Sequence, residues 1–238
     1  MIKFENVEVL GWEAAIRGMR NPMNSWEKSD TFDCYDKCES GECPRPTTCD
    51  AKSSVCIGEN DMALLKKLVS AGTDHRKFMR MITVYVDITA PLYWWKEFDT
   101  YKVGTVANSC STMHKIHAKE FTVDDFSHEH LFTEENLRYE AEPDSLKLLN
   151  TIINALNAYR LAYLEEGDKS VWWQMIQLLP TSYNQRRTVM LNYEVLANIY
   201  KSRNNHKLDE WSVGFIEWIE SLPYSELITG KDNNNEKM

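Results

Sequence analysis

The sequence contains no apolar run near the ~18–20 residues that a membrane-spanning helix needs, so no such helix is expected in it. It has no excess of basic charge. Its 27 Lys and Arg stand against 36 Asp and Glu, a formal net charge of −9. That balance excludes a protein that grips polymeric nucleic acid through a basic face. A small nucleotide held by a few local cations stays open. Neither of the glycine-rich phosphate motifs, GxxxxGK(S/T) or GxGxxG, occurs. There is no internal repeat. The amino end, MIKFENVEVLGW, has no apolar signal core and no cleavage site, so a cytoplasmic location is expected.

Tight CxxC pairs are also missing, although six cysteines are present. Cys34, Cys38, Cys43, Cys49 and Cys56 fall in "CYDKCESGECPRPTTCDAKSSVC" with spacings that widen along the segment. A zinc site prefers tight pairs, and a secreted disulfide framework prefers an even count. A reduced insertion, a metal site and an oxidised hairpin all stay open. Elsewhere no set of metal ligands is expected.

What is present is a globular composition, with 43% hydrophobic and 11% aromatic residues over 238 positions. One domain over residues 1–230 is expected, with a Cys-rich insertion at about 30–58 and a disordered tail at 231–238. Residues 2–10 alternate like a strand, and Trp12, Ala15, Ile16 and Met19 have helical spacing up to Asn21-Pro22. A helix follows from residue 60 to Gly72, capped by Asn60 or Asp61. Residues 80–90 read as a strand, with Ile82, Val84, Val86 and Ile88 in step, and Pro91 ends it. A helix over 92–98 carries Trp94, Trp95 and Phe98, and another over 112–119 carries His114 and His117. Helices are expected over 144–165, 169–179, 185–202 and 208–220. A few strands among many helices make the class α+β.

Residues 99–111, "DTYKVGTVANSCS", crowd hydroxyls, an amide and one ammonium beside aromatic surface. Such groups donate well to phosphate oxygens, and Gly104 lets backbone amides approach. A plain surface turn is the simpler alternative. His75 lies among Arg76 and Lys77 just past a helix end, where a basic cluster also stabilises the helix dipole. Arg186, Arg187 and Arg203 flank the segment containing Asn192, a local basic pocket in an acidic chain or a set of surface ion pairs. Cys110 has no base assignable from sequence.

Taken in order, these pieces resemble the flavin-dependent thymidylate synthases. That family runs helix, H-x-S-P-F-E-H, a strand ending I-x-A-P, an aromatic helix, then R-H-R-x-x-S-x-N-E-x-S. In "DHRKFMRMITVYVDITAPLYWW" His75 takes the place of the first family histidine, and Ile88, Ala90 and Pro91 fit the strand end. In "TYKVGTVANSCS" Asn108 and Ser111 match the Asn and Ser of N-E-x-S, with one residue inserted. Thr100 and Lys102 replace the two arginines and Ser109 the glutamate. Further on, Leu179-Pro180, Asn192 and Arg203 keep the spacing of the family's L-P, N-L-R and L-R pattern, and His206 and Glu210 follow one residue early. Glu194 replaces the N-L-R arginine, and Ile176 an arginine shortly before L-P.

The resemblance implies a small antiparallel sheet packed with helices and a helix-rich carboxyl half. It implies methylene transfer from methylenetetrahydrofolate to dUMP, reduced by FAD, without an enzyme nucleophile. His75, Lys102, Asn108, Ser109 and Ser111 are then expected at the flavin. Arg187, Asn192 and Arg203 are expected at the nucleotide, Arg203 also in the catalytic role, and the subunits form a homotetramer with shared active sites. The alternative is a non-catalytic nucleotide-binding or protein-interaction module on the same scaffold.

Overall fold

The computed structural model describes residues 2–34, 55–139 and 142–231. Cys38, Cys43, Cys49 and the expected disordered tail beyond residue 231 lie outside those residues. The main sheet is small and antiparallel, with four strands in the order β1 (Lys3–Leu10), β4 (Thr83–Pro91), β6 (Asn184–Asn192), β5 (Val106–Ser109). The two-stranded pair β2 (Phe32–Asp33) and β3 (Val55–Cys56) is antiparallel as well. The helices are α1 (Trp12–Arg20), α2 (Glu59–Ser70), α3 (Leu92–Phe98), α4 (Ser145–Glu166), α5 (Lys169–Leu178), α6 (Tyr193–Arg203), α7 (Ile216–Glu220) and α8 (Glu226–Thr229), with a π-helical turn at Glu210–Phe215. The class is α+β.

The segment 185–202, expected as one helix, is a strand followed by a helix. Residues 184–192 alternate, burying Gln185, Val189 and Leu191. On the other face Arg186 and Thr188 both reach Asp87 of β4, at 2.8 and 2.5 Å. Two residues apart is strand spacing, not helix spacing. Asn192 then turns the chain into α6, its side-chain oxygen accepting the Val195 amide at 3.0 Å. β5 was likewise hidden in the polar stretch 99–111. It is tied to β6 by the Cys110 amide donating to Arg186 (2.9 Å) and the Gln185 side-chain amide donating to the Cys110 carbonyl (2.7 Å).

Two compact units divide the chain. One comprises residues 1–3, 87–100 and 107–188. Its core joins α4 and α5 to the irregular segment before them through Ile116, Phe121, Phe126, Leu149, Ile153, Leu156 and Met175. Burying each such side chain contributes about 1.5–3 kcal/mol. Asp144 and Asp168 cap α4 and α5 by accepting the amides of Lys147 and Ser170. The Asn157 side chain clips the backbone N–H and C=O of Phe121. The helix expected over 112–119 is absent. Ser111 Oγ accepts the amides of Met113 and His114 as a helix cap would, but the Met113 and His117 carbonyls accept Trp172 Nε1 (3.1 Å) and Arg160 Nε (3.0 Å) in place of helical amides. His114 and His117 therefore share no helix face. His117 packs its ring on Tyr163.

The other unit comprises residues 4–86, 101–106 and 189–238. Trp12 meets Tyr193 and Tyr224 edge-on, and Phe4 stacks on Trp218 at 4.6 Å. Gly11 has φ +94° and lies so close to the Met81 carbonyl that any Cβ would collide with it. The cap expected at Asn60 or Asp61 is supplied from elsewhere. Asp30 accepts both their amides at 2.9 and 3.0 Å, and Gly58 holds the cap position. Asp61 is fully buried and bonded to Arg20 at 2.6 Å. Burial draws its pKa up, but hydrogen bonds from Thr31, Ser29 and Arg20, with the Arg20 charge, hold it below the ordinary value. Cys34 and Cys56 form a disulfide, so the reduced reading fails for those two. Tyr224 fastens β3 by donating to the Val55 carbonyl and accepting the Ile57 amide.

Candidate functional site

Asn108 and Ser109 lie on β5 and Ser111 follows it, all three exposed. Arg187 lies on β6 with its side chain largely covered. Its Nη1 meets Asp99 at 2.7 Å, its Nε donates to Gln185 Oε1 at 2.9 Å, and its guanidinium lies 4.2 Å from the Trp95 ring. The Trp95 indole N–H in turn donates to the Gln185 carbonyl at 2.9 Å. Arg187 is thus a buried-facing cation already engaged by a carboxylate, an amide and an aromatic face. Arg186 is engaged by Asp87. The basic pocket expected from these arginines resolves into two carboxylate pairs.

In the other unit, His75 and Lys102 are exposed. Asn192 is the cap of α6, and Arg203 is that helix's last residue. Eleven residues at ~1.5 Å rise separate them by roughly 16 Å along the axis. Asn192 and Arg203 therefore mark opposite ends of one helix and make no common pocket within it. Gly104, at φ +77°, lets the 101–106 segment pass over the head of α6. A Cβ there would lie 3.0 Å from Val195 and 3.1 Å from the Asn192 amide.

The head of α6 holds a carboxylate of its own. Glu194, in the first turn, is buried and paired with Arg76, Oε2 to Nε at 2.9 Å and Oε1 to Nη2 at 3.2 Å. A helix N-terminus favours negative charge, and here the chain supplies that charge from within. The tail of α6 carries the cation. Arg203 Nε donates to the Tyr101 hydroxyl at 2.6 Å, and its guanidinium lies 5.4 Å from the Tyr101 ring and 5.2 Å from Trp211. Sequence reasoning missed Gln185, and it missed the pairing of Tyr101 with Arg203 and of Arg76 with Glu194. For Arg76 and Glu194 the signal was a charge reversal at the N-L-R position, a substitution that requires a new counter-charge nearby.

Among the described residues no three His, Cys, Asp or Glu side chains gather into a metal site. Two clefts, of about 290 and 410 Å³, open on either side of Arg20. None of the expected site residues lines them, and Arg20 is spent on Asp61, Ser25 and Lys28.

No family model and no curated protein sequence matches the chain. Solved structures do. Thymidylate synthase X (ThyX) from Helicobacter pylori, crystallised with FAD and dUMP, matches with a TM-score of 0.61 at 16% identity, over 96% of this chain and 95% of that one. The UMP/dUMP methylase PolB from Streptomyces cacaoi, bound with 5-Br dUMP, matches with a TM-score of 0.56 at 13% identity, over 97% and 95%. The fold is that of ThyX.

The match to ThyX extends over nearly the whole chain. For a flavin diphosphate, the sequence 99–111 offers one ammonium, Lys102, and carries the carboxylate of Asp99. Two of the hydroxyls there are turned to backbone carbonyls, Thr100 to Glu97 and Thr105 to Tyr101. That donor set does not fit the diphosphate in the way the resemblance implies.

Proposed function

We propose that this chain binds a uridine-type nucleoside monophosphate, such as dUMP, on a ThyX-like scaffold, with Arg203 as the phosphate-binding cation. The observation that carries the reading is the shared ligand class of two enzymes with this fold. H. pylori ThyX was crystallised with dUMP and S. cacaoi PolB with 5-Br dUMP, each matched over 95% of its length. The family spacing from Pro180 through Asn192 to Arg203 supports it. So does the guanidinium of Arg203, oriented by a hydroxyl and two aromatic faces. The head of α6, which would favour an anion, is already occupied by Glu194 and its partner Arg76, whereas its tail carries the Arg203 cation.

Flavin-dependent methyl transfer to dUMP from methylenetetrahydrofolate, in a homotetramer, is the competing reading. It draws on the FAD in the H. pylori structure. The donor set of residues 99–111 weighs against it. A thermal-shift panel of dUMP, UMP, dTMP, deoxyuridine and ATP tests the proposal, with stabilisation expected from the uridine monophosphates and none from ATP. Addition of FAD followed by desalting decides between the readings. A colourless protein is expected, and retained flavin absorbance at one FAD per chain would restore the enzymatic reading.

A further inference from the structure

The cleft of about 290 Å³ beside Arg20 is lined by α1 and by the chain that follows it as far as Thr31, all within one unit. Its walls carry a definite pattern of donors and acceptors. Glu13 and Arg17 line it four residues apart on α1, so they share a helix face with Cβ atoms about 5–6 Å apart. A glutamate followed at that spacing by an arginine ordinarily pairs with it. Here both side chains are exposed, and among the described residues neither makes an ion pair or a hydrogen bond. Ser29 and Thr31 also line the cleft. Their hydroxyls donate to Asp61 Oδ2 at 2.7 and 2.6 Å, which commits the one proton of each and leaves lone pairs for anything in the cleft. Arg20 gives its own protons to Asp61, Ser25 and Lys28, so Arg17 is the lining cation with protons to offer. Trp26 is 49% exposed, and its indole N–H is held by Asn21 Oδ1 at 2.8 Å. What it presents is therefore an apolar ring face.

We propose that this cleft binds a free α-amino acid with an aromatic or large apolar side chain. Such a molecule carries its carboxylate and ammonium on one carbon, close enough for two side chains one helical turn apart to hold both. Arg17 donates to the carboxylate, Glu13 and the two hydroxyls accept from the ammonium, and the side chain lies on the Trp26 ring. An anion alone would face the Glu13 carboxylate, and a cation alone would face Arg17. A zwitterion answers both charges, and the volume, at the small end of ligand cavities, suits one such molecule.

Calorimetry on the full chain with L-phenylalanine, 2-phenylethylamine and 3-phenylpropanoate tests this, since the last two lack the carboxylate and the ammonium in turn. Saturable uptake of one phenylalanine per chain is expected, with both analogues weaker by about tenfold. Arg17→Ala is expected to weaken phenylalanine about tenfold without weakening 2-phenylethylamine. Glu13→Gln should weaken phenylalanine without weakening 3-phenylpropanoate. Trp26→Ala should weaken all three. The three side chains are exposed, so the ligand-free melting temperatures of the variants should stay at the wild-type value. No uptake of phenylalanine, or uptake that Arg17→Ala leaves intact, would overturn the site. An analogue that binds as tightly as phenylalanine would overturn the zwitterion as its ligand.

Discussion

At the scale of single residues, what distinguishes this chain is where its charges find partners. Glu194 introduces a carboxylate at a position where the resembled family has an arginine, and Arg76 neutralises it within the same unit. Arg187 is matched to Asp99 in the same manner. Arg20 and Asp61 form the most deeply buried pair described, at 4% and 0% side-chain exposure. Removing one partner of such a pair leaves the other charge stranded, so Asp61→Asn is expected to cost about 3 kcal/mol of stability in chemical denaturation. The pH dependence follows from the sign of the shift. The folded-state pKa of Asp61 lies below its unfolded value, so its contribution is fully present above about pH 4 and is lost as pH falls through the folded value. Wild-type stability should therefore fall more steeply on acidification than that of Asp61→Asn. Parallel curves would contradict this.

At the scale of elements, the β2–β3 pair is cross-linked by the disulfide between Cys34 and Cys56. Cys34 and Cys56 are 22 positions apart, and a cross-link closing such a loop stabilises by about 3 kcal/mol on the chain-entropy account. Cys34→Ser with Cys56→Ser should lower the melting temperature of non-reduced protein by several degrees, to the value the wild type shows in reductant. Equal melting temperatures with and without reductant would contradict the bond. Elements with a strong period were legible in the sequence. β4 alternated cleanly, α4 carried a long apolar stripe, and α3 lay between Pro91 and a polar stretch. β6 was not legible, because "TVMLNYEVLANIY" runs without a break into a true helix. Long-range bonds show the strand, among them those of Arg186 and Thr188 to Asp87, a partner about a hundred residues away. The same holds for β5, whose polar residues take strand form through bonds to β6. The 112–119 helix failed for a non-local reason, the capture of the Met113 and His117 carbonyls by Trp172 and Arg160.

At the scale of the whole molecule, the order and spacing of segments carried the fold further than any single motif. His75, Ile88-x-Ala90-Pro91, Asn108, Asn192 and Arg203 each make a weak signal, and together they indicated the architecture that the solved ThyX and PolB structures share. The site was less legible for a physical reason. Whether an arginine binds a ligand or an internal carboxylate depends on which groups folding brings to it, and spacing along the chain does not encode that. Arg187 and Arg203 look alike in sequence, yet one is clamped by Asp99 and Gln185 and the other by Tyr101 and Trp211. We propose that this scaffold takes a uridine monophosphate without needing flavin. Calorimetric titration of dUMP into flavin-free full-length protein tests it most directly. Saturable binding of one nucleotide per chain, abolished by Arg203→Ala, is the predicted result; no binding heat until FAD is added would contradict it.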